Sequence, residues 1–200
     1  LSQYNLMKLI KLLLTIFIIS SYSNFAKSDD IKDFQIEGMS IGDSLLEFTT
    51  EDKIKRGKRD YYNDNEYSVT ELYSDDFEQN IVTYDRIQFN FITNDKKKII
   101  QSLSGILSYD NNIKDCYKKL DQVYKEIVSI FSTWDDLGKE TYVHTGAEVK
   151  ITDYVLENKS RDEIQIACYD YFDDKKNQDH FRIALRTFDY RVWLHDKAYK

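Results

Sequence analysis

Ser44 stands in the run Gly42-Asp43-Ser44-Leu45. A serine beside a tight glycine turn is a residue type that can attack an ester carbonyl. Alone it is a weak nucleophile, because it needs a base to take its proton and donors to hold the oxyanion. Three histidines, His144, His180 and His195, are the available bases. The residues three places before them are Thr141, Asn177 and Val192, so none carries an Asp-x-x-His pairing. The same four residues also read as a glycine turn, an Asp43 helix cap, and Ser44 in the first helical turn.

The Gly-Asp-Ser-Leu run resembles the name motif of the GDSL (SGNH) esterases, which implies Ser44 as nucleophile. That family's Gly-x-Asn-Asp oxyanion block has no counterpart here. Asn63-Asp64 and Asn94-Asp95 both lack a glycine two places earlier. A divergent GDSL-type serine esterase using Ser44 is therefore the alternative function, and the leading one is non-catalytic.

No metal or cofactor is expected. The three histidines have no zinc spacing. The acidic stretches Asp60–Glu66 and Asp170–Asp179 offer oxygens to calcium but lack the alternating ligands and central glycine of a calcium loop. They read as solvated loops.

Cys116 and Cys168 are the only cysteines. In an oxidising compartment an even count points to a bridge. Cys116 falls on an apolar helix stripe and Cys168 on an apolar strand face. The expectation is a structural disulfide, with two separately buried thiols as the alternative.

Arginine is scarce, at seven residues against 16 tyrosines. Arg86, Arg182 and Arg186 fall on polar positions of expected strands, as do Tyr84, Tyr154, Tyr169 and Tyr171. Tyr and Arg are the residues that dominate recognition surfaces. The expected binding set is Tyr84, Arg86, Tyr154, Tyr169, Arg182 and Arg186. The competing reading is an ordinary solvated sheet face covered by long amphipathic side chains.

The elements that must position these residues follow from periodicity. Helix starts are expected at Ser40–Phe48 and Thr50–Arg56, with Gly57–Glu66 as polar loop. Strands are expected at Glu66–Ser74, Ile81–Thr93 and Ile99–Leu107. Ile113, Cys116, Leu120, Val123, Ile127 and Ile130 form one stripe and predict a helix over Ile113–Phe131, with Asn112 as N-cap. Strands at Glu148–Leu156, Glu163–Phe172 and His180–Phe188 follow, then a short helix over Tyr190–Ala198. Short turns between strands require antiparallel pairing. The class is α+β: antiparallel sheet with helices on one face, in a repeated order of helix then three strands. The half-units would run over about 34–109 and 110–200.

Met7–Ala26 reads as a secretory signal peptide, with Lys8 and Lys11 before the apolar run Leu12–Ile19 and a small-residue region after it. Cleavage is expected after Ala26 or Ser28. Leu1–Leu6 read as an upstream extension, and 29–200 as the mature domain, periplasmic or secreted. The run is too short to span a bilayer. The formal net charge of −7 argues against nucleic acid and anionic membrane as partners. Another envelope protein is the expected partner class. The absence of proline and the 16 tyrosines fit an AT-rich genome and say little about fold.

Phe34-Gln-Ile-Glu-Gly-Met-Ser-Ile-Gly-Asp-Ser-Leu-Leu, with Asp115-Cys-Tyr-Lys-Lys119 and Ile166-Ala-Cys-Tyr-Asp170, resembles a group of short exported proteins of unknown function from marine bacteria with AT-rich genomes. More loosely it is similar to the helix-plus-sheet modules of SmpA/BamE lipoproteins and β-lactamase inhibitory proteins. That likeness implies that Gly38-Met-Ser-Ile-Gly-Asp-Ser-Leu45 sits at the turn into the first helix. Unlike the SmpA group, the chain has no lipid-anchoring cysteine near the expected cut.

Overall fold

The computed structural model describes residues 29–110, 112–173 and 178–200. The expected signal peptide lies outside them. Within them no helix is long and apolar enough to cross a membrane.

Eight strands form one antiparallel sheet. They are β1 (Lys58–Arg59), β2 (Tyr67–Tyr73), β3 (Arg86–Ile92), β4 (Ile100–Ser108), β5 (Asp135–His144), β6 (Val149–Glu157), β7 (Glu163–Tyr171) and β8 (His180–Arg186). Their order is β1-β2-β3-β4-β8-β7-β6-β5. Each run of four is a meander, and the last strands of the two runs pair across the middle, Leu103 opposite Leu185. The α+β class is as the periodicity indicates.

Among the described residues three α-helices accompany the sheet: α1 (Glu51–Arg56), α2 (Ile113–Ile130) and α3 (Phe188–Asp196). The first sheet face carries Ile87, Phe89, Leu103, Ile164, Ile166, Ile183 and Leu185, all buried in one core that spans both meanders. α2 lies on this face. Its stripe residues Cys116, Leu120 and Ile127 are buried against it, while Ile130 at the end is exposed. Cys116 and Cys168 are joined in a disulfide, with 6.0 Å between their Cα atoms, so the helix is stapled to β7. Gly105 is required here: a Cβ would meet the Tyr84 ring at 2.7 Å.

The second face is polar in composition yet largely buried. α3 and the segment 60–66 pack on part of it. Tyr67, Tyr190, Trp193 and Ala198 make a small separate core. Trp193 Nε1 donates to Asp64 at 2.6 Å, and Asn63 N donates to the Ala198 carbonyl. Thr187 caps α3, accepting from Tyr190 N, so the helix starts earlier than its apolar residues suggest.

Four local differences from the sequence reading have plain causes. No helix spans Ser40–Phe48. Asp43 instead accepts from Ser40 N at 2.7 Å, and only a 3-10 turn over Leu45–Glu47 follows. Asn112 holds the N-cap position without a cap bond, because its Nδ2 donates to Asp115. β3 begins at Arg86, later than its apolar run, since Ile81 and Tyr84 turn into the core from a loop. β5 carries no sequence alternation because it is an edge strand, exposed at every position but Gly138. A bulge between Asp136 and Gly138 interrupts its ladder, and Gly138 takes φ +84°.

Candidate functional site

The second sheet face gathers arginines and tyrosines around β3, β4, β7 and β8. Register puts Arg86 opposite Ile106, and Ile106 opposite Arg182. Ala167 faces Arg182, Tyr169 faces His180, and Glu163 faces Arg186. Alternation along each strand therefore brings Arg86, Tyr169, Arg182 and Arg186 to one side.

Two of the expected binding residues are elsewhere. Tyr154 points to the helix face: it stacks on Tyr124 of α2, centroids 3.7 Å apart, and donates to Asp121 at 3.0 Å. Tyr84 precedes β3 and packs into the main core under Gly105, and burial raises its phenol pKa to about 12. Both readings assumed that a tyrosine beside a polar neighbour keeps strand phase. In fact the chain reaches Tyr84 through a loop, and Tyr154 shares its side of β6 with Leu156, opposite Ile166 on the face that forms the main core.

The arginines differ in what neutralises them. Arg186 donates to Glu163 at 2.6 Å and to Gln165 at 2.7 Å. Burial opposes its charge, yet Glu163, Tyr169 and Tyr190 hold its pKa above the usual value. Arg191 of α3 meets Glu157 and, at 3.3 Å, Glu163. Arg86 meets Glu71 at 3.3 Å and donates to Ser108 Oγ at 3.2 Å. Arg59 lies 3.7 Å from the same carboxylate. Arg182 is the exception. It donates from Nη2 to the neutral Gln88 carbonyl oxygen at 2.9 Å, its guanidinium carbon sits 5.3 Å from the Tyr169 ring centroid, and its buried Nε has no acceptor. Among the described residues no carboxylate pairs with it.

His180 is its neighbour on β8. Its ring stacks on Tyr169 with centroids 4.6 Å apart and planes 10° apart. Its Nδ1 is 2.9 Å from the Gln178 carbonyl oxygen. A carbonyl only accepts, so the proton is assigned to Nδ1 and Nε2 presents a lone pair. That Nε2 is buried and unpartnered. Burial, helped by Arg182 and Arg86, pushes the imidazole pKa down to about 3. No sequence signal marked His180, since its role comes from cross-strand stacking.

Tyrosines surround this pair. Tyr171 lies 5.8 Å from the His180 ring. Tyr61 and Tyr199 feel Arg182 from the covering segments, although burial is the larger cause of their raised pKa values. Tyr61 is 48% exposed. On the far side Gln165 Nε2 donates to Asp153 at 2.5 Å, and Tyr142 donates to the same oxygen at 3.3 Å. Burial raises the Asp153 carboxyl.

Ser44 is remote from this face. Its Oγ donates to the Lys97 carbonyl at 2.6 Å, and it bridges to Ile99, so its proton is held by main chain and not by an imidazole. Among the described residues no group of three or more metal-ligating side chains is assembled. A hollow of about 120 Å³ beside the β1–β2 edge, lined by Lys58, Asp60, Asn63 and Asp64 among others, lies apart from Arg182.

No protein-family model matches the chain, and no curated protein or solved structure matches it.

Proposed function

We propose that this chain is an exported, non-catalytic binding protein that takes a protein or envelope component on the part of its second sheet face centred on Arg182 and Tyr169. The observation that carries the reading is the unbalanced arginine. Arg182 is half-buried, and its buried Nε–H without an acceptor costs free energy in the free protein. A partner that supplies the missing acceptor recovers it, and arginines are enriched among the residues that dominate interfaces. The leader-like run Met7–Ala26 supports export. The rim tyrosines Tyr61, Tyr73, Tyr142 and Tyr199, each 42–58% exposed, supply contact area at low entropic cost.

The test compares wild type with Arg182→Gln as bait in cross-linked native envelope. Loss of a charged hot-spot contact should lower retention of the partner by at least about tenfold. Melting should stay close to wild type, because the residue bonds only to Gln88. Equal retention by both baits would remove the face from the binding role.

A further inference from the structure

We propose that Arg182 and His180 form a subsite for a carboxylate that carries a neighbouring hydroxyl, the chemistry shared by small hydroxy acids and sugar acids. The inference rests on the proposed use of this face and names the group it recognises.

Four observations converge. Arg182 Nε–H is a buried donor without an acceptor, on an arginine of this face that no carboxylate pairs with among the described residues. His180 Nε2 is a buried acceptor without a donor, on a side chain only 4% exposed. The two are i and i+2 on β8, so they leave the same side of the sheet about 6–7 Å apart at the backbone. Both also contact one ring, Tyr169.

The pair is chemically selective. A carboxylate alone satisfies Arg182 but sets its lone pairs against that of His180. A neutral hydroxyl alone leaves the guanidinium without a counter-charge. An ammonium beside the carboxylate would donate to His180 but face Arg86 and Arg182. A hydroxyl beside a carboxylate answers both atoms: the carboxylate accepts from Nε–H, and the hydroxyl donates to Nε2. Tyr171 and Tyr61 add aromatic surface for a sugar ring. Tyr61, close enough to Arg182 to feel its charge, is 48% exposed and stands on a segment without strand pairing.

The test uses nitrogen-15 NMR of the mature chain, reading the Arg182 Nε–H and His180 Nε2 signals directly. Glycolate, D-glucuronate, acetate and glucose are titrated separately. Glycolate and glucuronate should move both signals saturably. Acetate and glucose should bind at least about tenfold more weakly, because each leaves one of the two buried polar atoms unsatisfied. His180→Phe keeps the stack on Tyr169 and loses the lone pair, so it should erase the advantage of glycolate over acetate. Arg182→Gln should abolish both responses. If that variant unfolds, the His180→Phe comparison still decides. Tighter glucuronate than glycolate assigns the source to sugar acids, and the reverse to small hydroxy acids. Equal glycolate and acetate affinity in wild type, or no shift at tens of millimolar, overturns the proposal. Partner retention is measured apart from these titrations, so a face that binds its partner without this subsite would show loss of retention in Arg182→Gln and silence here.

Discussion

Arg186 on β8 and Glu163 on β7 are direct cross-strand partners, with Nη1 2.6 Å from Oε1 and both side chains at most 13% exposed. Strand phase alone places Arg186 on the polar face, among the residues expected to meet a partner. It is instead a structural pin. Removing one member of a buried pair strands the other charge, so Glu163→Ala should cost about 3–5 kcal/mol in urea unfolding. The double change Glu163→Leu with Arg186→Met should recover most of that loss, since a packed apolar pair replaces a buried ionic one at little cost. A single-variant loss under about 1 kcal/mol would show the pair to be solvated.

The bridge between Cys116 and Cys168 closes a separation of 52 residues. Chain entropy assigns a loop of that size about 4 kcal/mol of stabilisation. Reduction, or Cys116→Ser with Cys168→Ser, should lower the denaturation midpoint accordingly. Thiol labelling of the oxidised, denatured protein should find no free thiol. Two reactive thiols per chain would refute the bridge.

His180 makes stability fall with acid. Its folded pKa is about 3 against an ordinary 6.5, so below pH 6.5 the unfolded chain binds a proton that the folded chain does not. The contribution is full above about 6.5 and declines continuously toward pH 3, by an amount on the order of 4 kcal/mol. His180→Gln should flatten the stability profile across that window relative to wild type, whose carboxylates contribute equally to both. Parallel profiles between pH 7 and pH 4 would mean the imidazole is not desolvated.

Ser44→Ala removes the hydroxyl that ties the first turn to Lys97. The expected loss is about 1 kcal/mol, with no change in any hydrolysis of p-nitrophenyl acetate. Ester cleavage that disappears with this hydroxyl would restore the nucleophile reading.

The sequence made legible whatever has a period. The stripe Ile113–Ile130 and the alternation in β4, β6, β7 and β8 survive because one side of each is buried among apolar residues. β5 was invisible because neither side is buried, so nothing selected alternation along Asp135–His144. The second face was legible only in part. Arg86, Tyr169 and Arg182 follow from strand phase. The free Nε2 of His180, the neutralised Arg186 and the departure of Tyr154 toward α2 depend on which strands become neighbours, and β4 meeting β8 is fixed by contacts some eighty residues apart. The terminal helix crossing to the polar face has no local signature: its anchors Tyr190 and Trp193 find their partners in Tyr62, Tyr67 and Asp64.

The bulge in β5 limits how far the sheet can grow. An outermost strand with open main-chain groups is a template for another molecule to extend. Here Asp135 and Asp136 begin the strand, the bulge twists the ladder beside them, and Lys139 is drawn back to Asp121 of α2 at 2.7 Å. At the other margin β1 is two residues long. Charge is thus the main guard on the longer margin, and added salt weakens charge at a surface. Storage of this protein is therefore a question of ionic strength before it is one of temperature: concentrated stocks keep their molecules apart best in dilute buffer.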